Sequence, residues 1–221
     1  MAALMPRGTG TADLPVLRPA YLWERRRLAD GTDILIRPIR PEDDAIEFDF
    51  IRGLSRDSAY NRLLSARRLT AREIRRLTRI DYDREMACVA VSGSGTQARL
   101  LGVARYVRDE AGRSAEFAVV VADAWQRKGI GTMLLQALQG HARAAGLANL
   151  HGITLASNLA MQNLGRKLGF AQRAEPGDAT VRQIEKALVP DTAGTARVAA
   201  NDAWVAPRHS TRLSEAPIGG A

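Results

Sequence analysis

A single cysteine, Cys88, in 221 residues leaves no partner for an internal disulfide, so the fold must rest on packing. Its setting, Ala87-Cys88-Val89-Ala90-Val91, reads as a buried small hydrophobe rather than a nucleophile. Histidine is nearly as scarce. His141, His151 and His209 lack the paired spacing that zinc ligands need, and no metal is expected. Aromatic residues make up 5% of the chain, and none falls between Tyr60 and Tyr82, where arginines are densest. A nucleic-acid platform needs rings interleaved with charge, so that role is not expected. No apolar run approaches the roughly 20 residues that cross a bilayer. The N-terminus has no sustained apolar segment of the kind signal peptides carry, and a cytoplasmic protein with no membrane partner is expected. What is present is a hydrophobic fraction of 46%, enough for a core, and a net charge of +8. That charge favours polyanions, a phosphorylated cofactor among them.

Residues 1–30 carry Pro6, Gly8, Gly10, Pro15 and Pro19 and read as a flexible arm. Residues 190–221, rich in Ala, Thr, Gly and Pro, read as a disordered tail. One folded domain is expected over 31–189. Within it, 33–37 reads as a first strand, and Pro41-Glu42-Asp43-Asp44 as a helix start with acids at the positive end of the dipole. Helices are expected to about Leu54, over 55–66, and from the capping box Thr70-Ala71-Arg72-Glu73 onward. Apolar runs at 86–91 and 100–107 suggest a hairpin, and 117–121, apolar on both faces, a central strand. A helix with Leu134, Leu135, Leu138, Ala142 and Ala145 inward ends at Gly146. A strand at 150–155, a helix at 158–168 and two short strands follow. This order describes a mixed α/β (α+β) sheet rather than a doubly wound one.

The informative stretch is Val119-Val120-Val121-Ala122-Asp123-Ala124-Trp125-Gln126-Arg127-Lys128-Gly129-Ile130-Gly131-Thr132. A buried strand enters a basic, glycine-bearing loop that opens directly onto a helix. Glycine lets the backbone approach a ligand, and a helix start offers unpaired N–H groups and a positive dipole end. The loop suits an anion such as a pyrophosphate, although a tight strand-to-helix turn would use the same residues. It lacks the Gly-Lys-Ser/Thr ending of a P-loop and the third glycine of a dinucleotide fingerprint.

Gln126-Arg127-Lys128-Gly129-Ile130-Gly131 resembles the Q/R-x-x-G-x-G/A motif of GNAT acetyltransferases. Asn158 to Phe170, NLAMQNLGRKLGF, resembles that family's N-x-x-A-x-x-L-Y-x-x-x-G-F at the expected separation. The resemblance implies the GNAT fold: a mixed, mostly antiparallel sheet of about six to seven strands, with splayed central strands and helices on both faces. It implies acetyl-CoA as co-substrate. The strand Val119, Val120 and Val121 would meet the pantetheine arm, Gln126, Arg127, Lys128, Gly129, Ile130, Gly131 and Thr132 the phosphates, and Asn158 the region near the thioester. Glu116, heading the central strand, takes the place of the family's catalytic carboxylate, the other reading being a strand-edge glutamate paired with Arg113 in solvent. An amine acceptor arrives as an ammonium and must lose a proton, and a carboxylate in an apolar cleft gains the basicity to take it. The family's tyrosine, which reprotonates the thiolate, falls at Gly165. Either water, Ser157, Tyr60 or Tyr82 serves instead, or the thiolate leaves without help.

Asp30-Gly31-Thr32, the run Ile36 to Asp43 and the run Ile80 to Met86 are similar to the GNAT domain of bacterial protein lysine acetyltransferases. That closer resemblance implies direct transfer to a protein lysine in a ternary complex. An acyl-CoA synthetase is the implied partner, and a monomer or homodimer the implied state. Arg67, Arg68, Arg72, Arg75, Arg76 and Arg79 read either as a solvated helix face or as a docking surface for an acidic protein. A small-amine or antibiotic acetyltransferase, and a non-catalytic acyl-CoA sensor, are the alternatives.

Overall fold

The computed structural model describes residues 23–63 and 69–188, apart from the side chain of Leu63. The expected C-terminal tail, most of the N-terminal arm, and Arg67 and Arg68 lie outside these residues.

The elements run β1 (Glu24–Arg27), β2 (Asp33–Pro38), α1 (Asp44–Gly53), α2 (Arg56–Leu63), α3 (Ala71–Thr78), β3 (Glu85–Ser92), β4 (Arg99–Arg108), β5 (Ser114–Val121), α4 (Ile130–Ala144), β6 (Asn149–Leu155), α5 (Leu159–Lys167), β7 (Ala171–Glu175) and β8 (Asp178–Ala187). The strands form one sheet in the order β1-β2-β3-β4-β5-β6-β8-β7. Every pairing is antiparallel except that of β5 with β6. The fold is the mixed, mostly antiparallel one expected, with eight strands where six to seven were expected. The additional strand, β1, corrects the reading of residues 24–27 as part of a loose arm. Glu-Arg-Arg-Arg has no apolar residue to betray a strand, and all four are exposed. The strand is held by main-chain pairing to β2, and its charge suits a sheet edge, where it discourages further pairing.

The sheet has a core on each face because side chains alternate along a strand. On one face Ile36, Met86, Cys88, Leu101, Ala104 and Tyr106 pack under Leu134, Leu135 and Leu138 of α4. On the other, Val89, Val91, Val103 and Val120 meet Ile39, Phe50 and Ile80. β3 is buried on both faces over Met86–Val91, hence its unbroken apolar sequence. Burial pushes the Cys88 thiol up to about 12, as fits a packed side chain.

Two local devices set the helices over the second face. Asp43 ends the 3-10 turn that leads into α1. Its buried carboxylate takes both Arg37 guanidinium nitrogens at 2.6 Å and the Arg40 N–H at 3.0 Å. The expected capping box opens α3: Glu73 N–H donates to Thr70 Oγ1 at 3.3 Å, and Thr70 N–H to Glu73 Oε2 at 2.7 Å.

Candidate active site

The parallel pairing of β5 with β6 stops after three residue pairs, Ser114–Asn149, Ala115–Leu150 and Glu116–His151. Beyond them the strands part, which is the splay the family resemblance implied. Gly152 stands where they separate. A Cβ there would lie 2.9 Å from Phe117 O, so only glycine admits that carbonyl. Ala122 N–H donates to Leu101 O in β4, and Val120 O lies on the β4 side next to Gly102. Main-chain groups alternate along a strand, so those of Phe117, Val119 and Val121 face the gap. The gap therefore has one free strand edge able to pair with an extended amide-bearing chain. Val121 O already accepts the Gln126 side chain at 3.1 Å, which leaves Val119 as its open part.

The loop after β5 closes one end of the gap. Arg127 sits at φ 60° and Gly129 at φ 87°, so the loop passes through left-handed backbone twice before α4 begins. Met133 N–H makes α4's first backbone bond, to Gly129 O at 3.1 Å, and the N–H groups of Ile130, Gly131 and Thr132 precede it. Gln126 through Gly129 are exposed and Ile130 is buried as the anchor. This arrangement fits a phosphate-bearing ligand. The individual side chains divide in purpose. Gln126 is turned inward, to Ser58 Oγ at 3.0 Å and Val121 O. Lys128 lies over the Trp125 ring and donates to Asp30 Oδ2 at 2.7 Å. That hydrogen bond is the foremost reason the Asp30 carboxyl falls to about 2.

The two sequence motifs meet in space. A Cβ on Gly131 would lie 3.4 Å from Leu164 of α5 and 3.7 Å from Val121. Asn158 caps α5, its Oδ1 accepting Met161 N–H at 3.1 Å. Gly165 is buried and faces Gln172, Phe170 and Ile184, where Gln172 fills the space.

Glu116, Ala118 and Val120 share the face of β5 opposite α4. Glu116 is exposed there, across from Val107 of β4. The burial expected for it is found instead at Glu47 of α1, which the sequence reading missed. Glu47 is 1% exposed, and its Oε2 has no hydrogen-bond partner. Burial pushes its carboxyl up to about 7, against the pull of Arg105 and Arg62. Arg62 is itself drawn down to about 10 by burial and by Arg105, while Glu47 and Glu116 both act to hold its proton. Glu47, Arg62 and Arg105 line a cavity of about 800 Å³ between α1, α2, α3 and the sheet, with Val103 and Val120 at its floor. Glu116 is not among its lining residues.

Asp123 was missed as well. It accepts Ser55 N–H at 2.9 Å and the Ser55 and Ser58 hydroxyls at 2.7 Å each, which docks α2 onto the loop. Burial works against its charge, but these hydrogen bonds outweigh it and hold the carboxyl below its ordinary value. Among the described residues no group of His, Cys, Asp and Glu is placed to hold a metal, and no helix is long and apolar enough to cross a membrane.

The pattern of the acetyltransferase (GNAT) family matches residues 56–170, just over half of the chain. An acetyltransferase of Pseudomonas aeruginosa is 34% identical over 154 residues, which are 69% of this chain and 83% of that one. The acetyltransferase Pat of Mycolicibacterium smegmatis is 29% identical over 140 residues, 63% of this chain and 41% of Pat, so the chain spans under half of that relative. Among solved structures, the GNAT domain of S. lividans PAT superposes with a TM-score of 0.68 at 25% identity, over 76% of this chain and 98% of that domain. The chain belongs to the acetyltransferase (GNAT) family. The expectation of an acyl-CoA-dependent acetyltransferase stands with that membership.

Proposed function

We propose that the protein transfers the acetyl group of acetyl-CoA to the side-chain amine of a protein lysine, in one step within a ternary complex. The observation that carries this reading is the position of β5. One edge faces the splayed gap and the anion-receptive loop, and one face looks into the 800 Å³ cavity. Donor and acceptor can thus approach the same strand from different sides.

The donor's phosphates lie against Arg127 to Thr132, whose N–H groups and dipole end favour anions. Its pantetheine arm pairs with Val119 in the gap, beside Val120 and Val121, and a strand N–H polarises the thioester carbonyl. Asn158, at the start of α5, borders the same gap. The acceptor loses a proton to Glu116, directly or through water, and its nitrogen attacks the carbonyl carbon. The C–S bond breaks and the thiolate leaves. With Gly165 turned into the core, solvent reprotonates it. The likeness to Pat and to the PAT domain supports a protein acceptor, and acyl-CoA synthetases are the first to try. A small amine is the second reading, favoured by a cavity within the size range of small-molecule pockets.

The test is transfer of radiolabelled acetyl from acetyl-CoA to a panel of purified acyl-CoA synthetases. Label is expected on lysine, with a fall of about 100-fold or more for Glu116→Gln and unchanged acetyl-CoA binding in calorimetry. Equal turnover by the variant removes Glu116 from the mechanism. Gly129→Glu, which sets a charged residue at φ 87° beside the phosphates, is expected to abolish acetyl-CoA binding. Tight binding by that variant overturns the loop assignment.

A further inference from the structure

Several of the chain's arginines are matched to acids: Arg37 to Asp43, Arg79 to Asp44 and Arg26 to Glu24. Three arginines beyond α5 are not. Arg166 donates to Asn163 Oδ1, and Arg182 Nη1 to Ala179 O at 3.4 Å and Val181 O at 3.1 Å. Among the described residues, none of Arg166, Arg173 and Arg182 has a carboxylate at ion-pair distance. They come from α5, β7 and β8, and together with Gln162, Gln172 and Phe170 they line one open concavity of about 460 Å³. No acid lines it. The acids of the β7–β8 hairpin nearest to it are engaged elsewhere, Glu175 with the Gln183 side chain and Asp178 with the Thr180 N–H and hydroxyl.

This concavity is not part of the acetyl-CoA loop. Leu164 is the α5 residue set against Gly131, and Gln162 and Arg166 lie about 160° around the helix from it. Gly165 shapes the floor. With no side chain there, Gln172 packs where a Cβ would lie 3.4 Å from its Nε2, and that nitrogen donates to Gln162 O.

We propose that the concavity between α5 and the β7–β8 hairpin binds the phosphate of a phosphate monoester, through Arg166 and Arg182 with Arg173 beside them. A phosphate dianion offers three oxygens, which guanidinium forks match two at a time. A lone carboxylate, with one charge and two oxygens, would leave most of the cationic demand unmet. A space of about 460 Å³ exceeds a bare phosphate and falls among small-molecule pockets, so the esterified group fits beside Phe170 and the glutamines. Without a ligand the three like charges repel, and neutralising them ties α5 to the hairpin. The inference goes beyond acetyl transfer and does not depend on it.

The probes are glycerol 3-phosphate and a blocked alanyl-phosphoseryl-alanine tripeptide, with glycerol, the unphosphorylated tripeptide and succinate as controls. They are titrated by calorimetry into the full chain with acetyl-CoA saturating, so that the donor's own phosphate site is filled. Binding of a phosphorylated probe is expected with Kd on the order of 0.1–1 mM, and none of its unphosphorylated form. Binding of glycerol 3-phosphate supports the site with a small metabolite as its source, and binding of the tripeptide alone supports it with a phosphoprotein as source. The double variant Arg166→Gln, Arg182→Gln is expected to weaken the binding at least tenfold, with unchanged acetyl-CoA affinity showing that its fold is intact. Silence from both phosphorylated probes in the wild type overturns the site, and so does equal binding by the double variant. Succinate bound as tightly as either probe overturns the assignment to phosphate. Failure of the wild type to acetylate any amine would sink the function proposed above and leave this result standing.

Discussion

Two carboxylates on one face of the sheet hold opposite relations to water, and their difference is measurable. Glu116 is exposed, whereas Glu47 is sealed between α1, Arg62 and Arg105. Burial lifts the Glu47 carboxyl from 4.5 to about 7, so the folded protein prefers the protonated form. Its contribution to stability is complete below pH 4.5 and is lost as the pH climbs through 7. Glutamine has the same shape and no charge to lose. Glu47→Gln is therefore expected to stabilise the protein by roughly 3 kcal/mol at pH 8, the value of the difference between 4.5 and about 7, and by under about 1 kcal/mol at pH 5. Urea denaturation at the two pH values checks this. Equal gains at both would mean that Glu47 is not titrating in the fold. Glu116 stood out in the sequence because it heads the strand that runs into the Gln126–Gly131 motif. Glu47 was legible only as a helix acid, although its phase with Phe50, Ile51 and Leu54 was a usable sign.

At the scale of elements, the turn before α1 and the parting of β5 from β6 fix where the cavity and the gap lie. The Arg37–Asp43 pair is buried, bidentate and joined to the Arg40 N–H, so it anchors α1 to β2. Asp43→Ala strands a buried guanidinium. It is expected to lower stability by about 3–5 kcal/mol in chemical denaturation, with the loss spreading to the cavity through α1. A loss under 1 kcal/mol would show that Arg37 reaches water in the variant. At the splay, Gly152→Ala would press a methyl group on Phe117 O, 2.9 Å from the new carbon. The strands must then separate earlier, and weaker acetyl-CoA binding in calorimetry with the sheet retained in circular dichroism is expected. Unchanged affinity would place the donor away from the gap. The loop from Gln126 to Thr132 and the capping box at Thr70 were legible because their chemistry is local. The inward turn of Gln126 and the tie from Lys128 to Asp30 depend on residues 68 and 98 positions away. No local pattern announces such contacts.

Over the whole molecule, the class of sheet, the central strand, the five helices and their order could be read from periodicity and punctuation. β1 could not, because an edge strand held by main-chain bonds needs no apolar side chain. Nor could the cavity, which is a space left between α1, α2, α3 and the sheet rather than a property of any one segment. The same sheet has a temporal side. Every strand from β1 to β5 neighbours the strand next to it in the chain, whereas β6 joins by three residue pairs only. On a ribosome, the main-chain pairing of the first five strands can therefore form while residues beyond Val121 are still being added, with the face that packs under α4 still bare. The nascent chain then carries one edge of the gap, waiting for β6 to complete it.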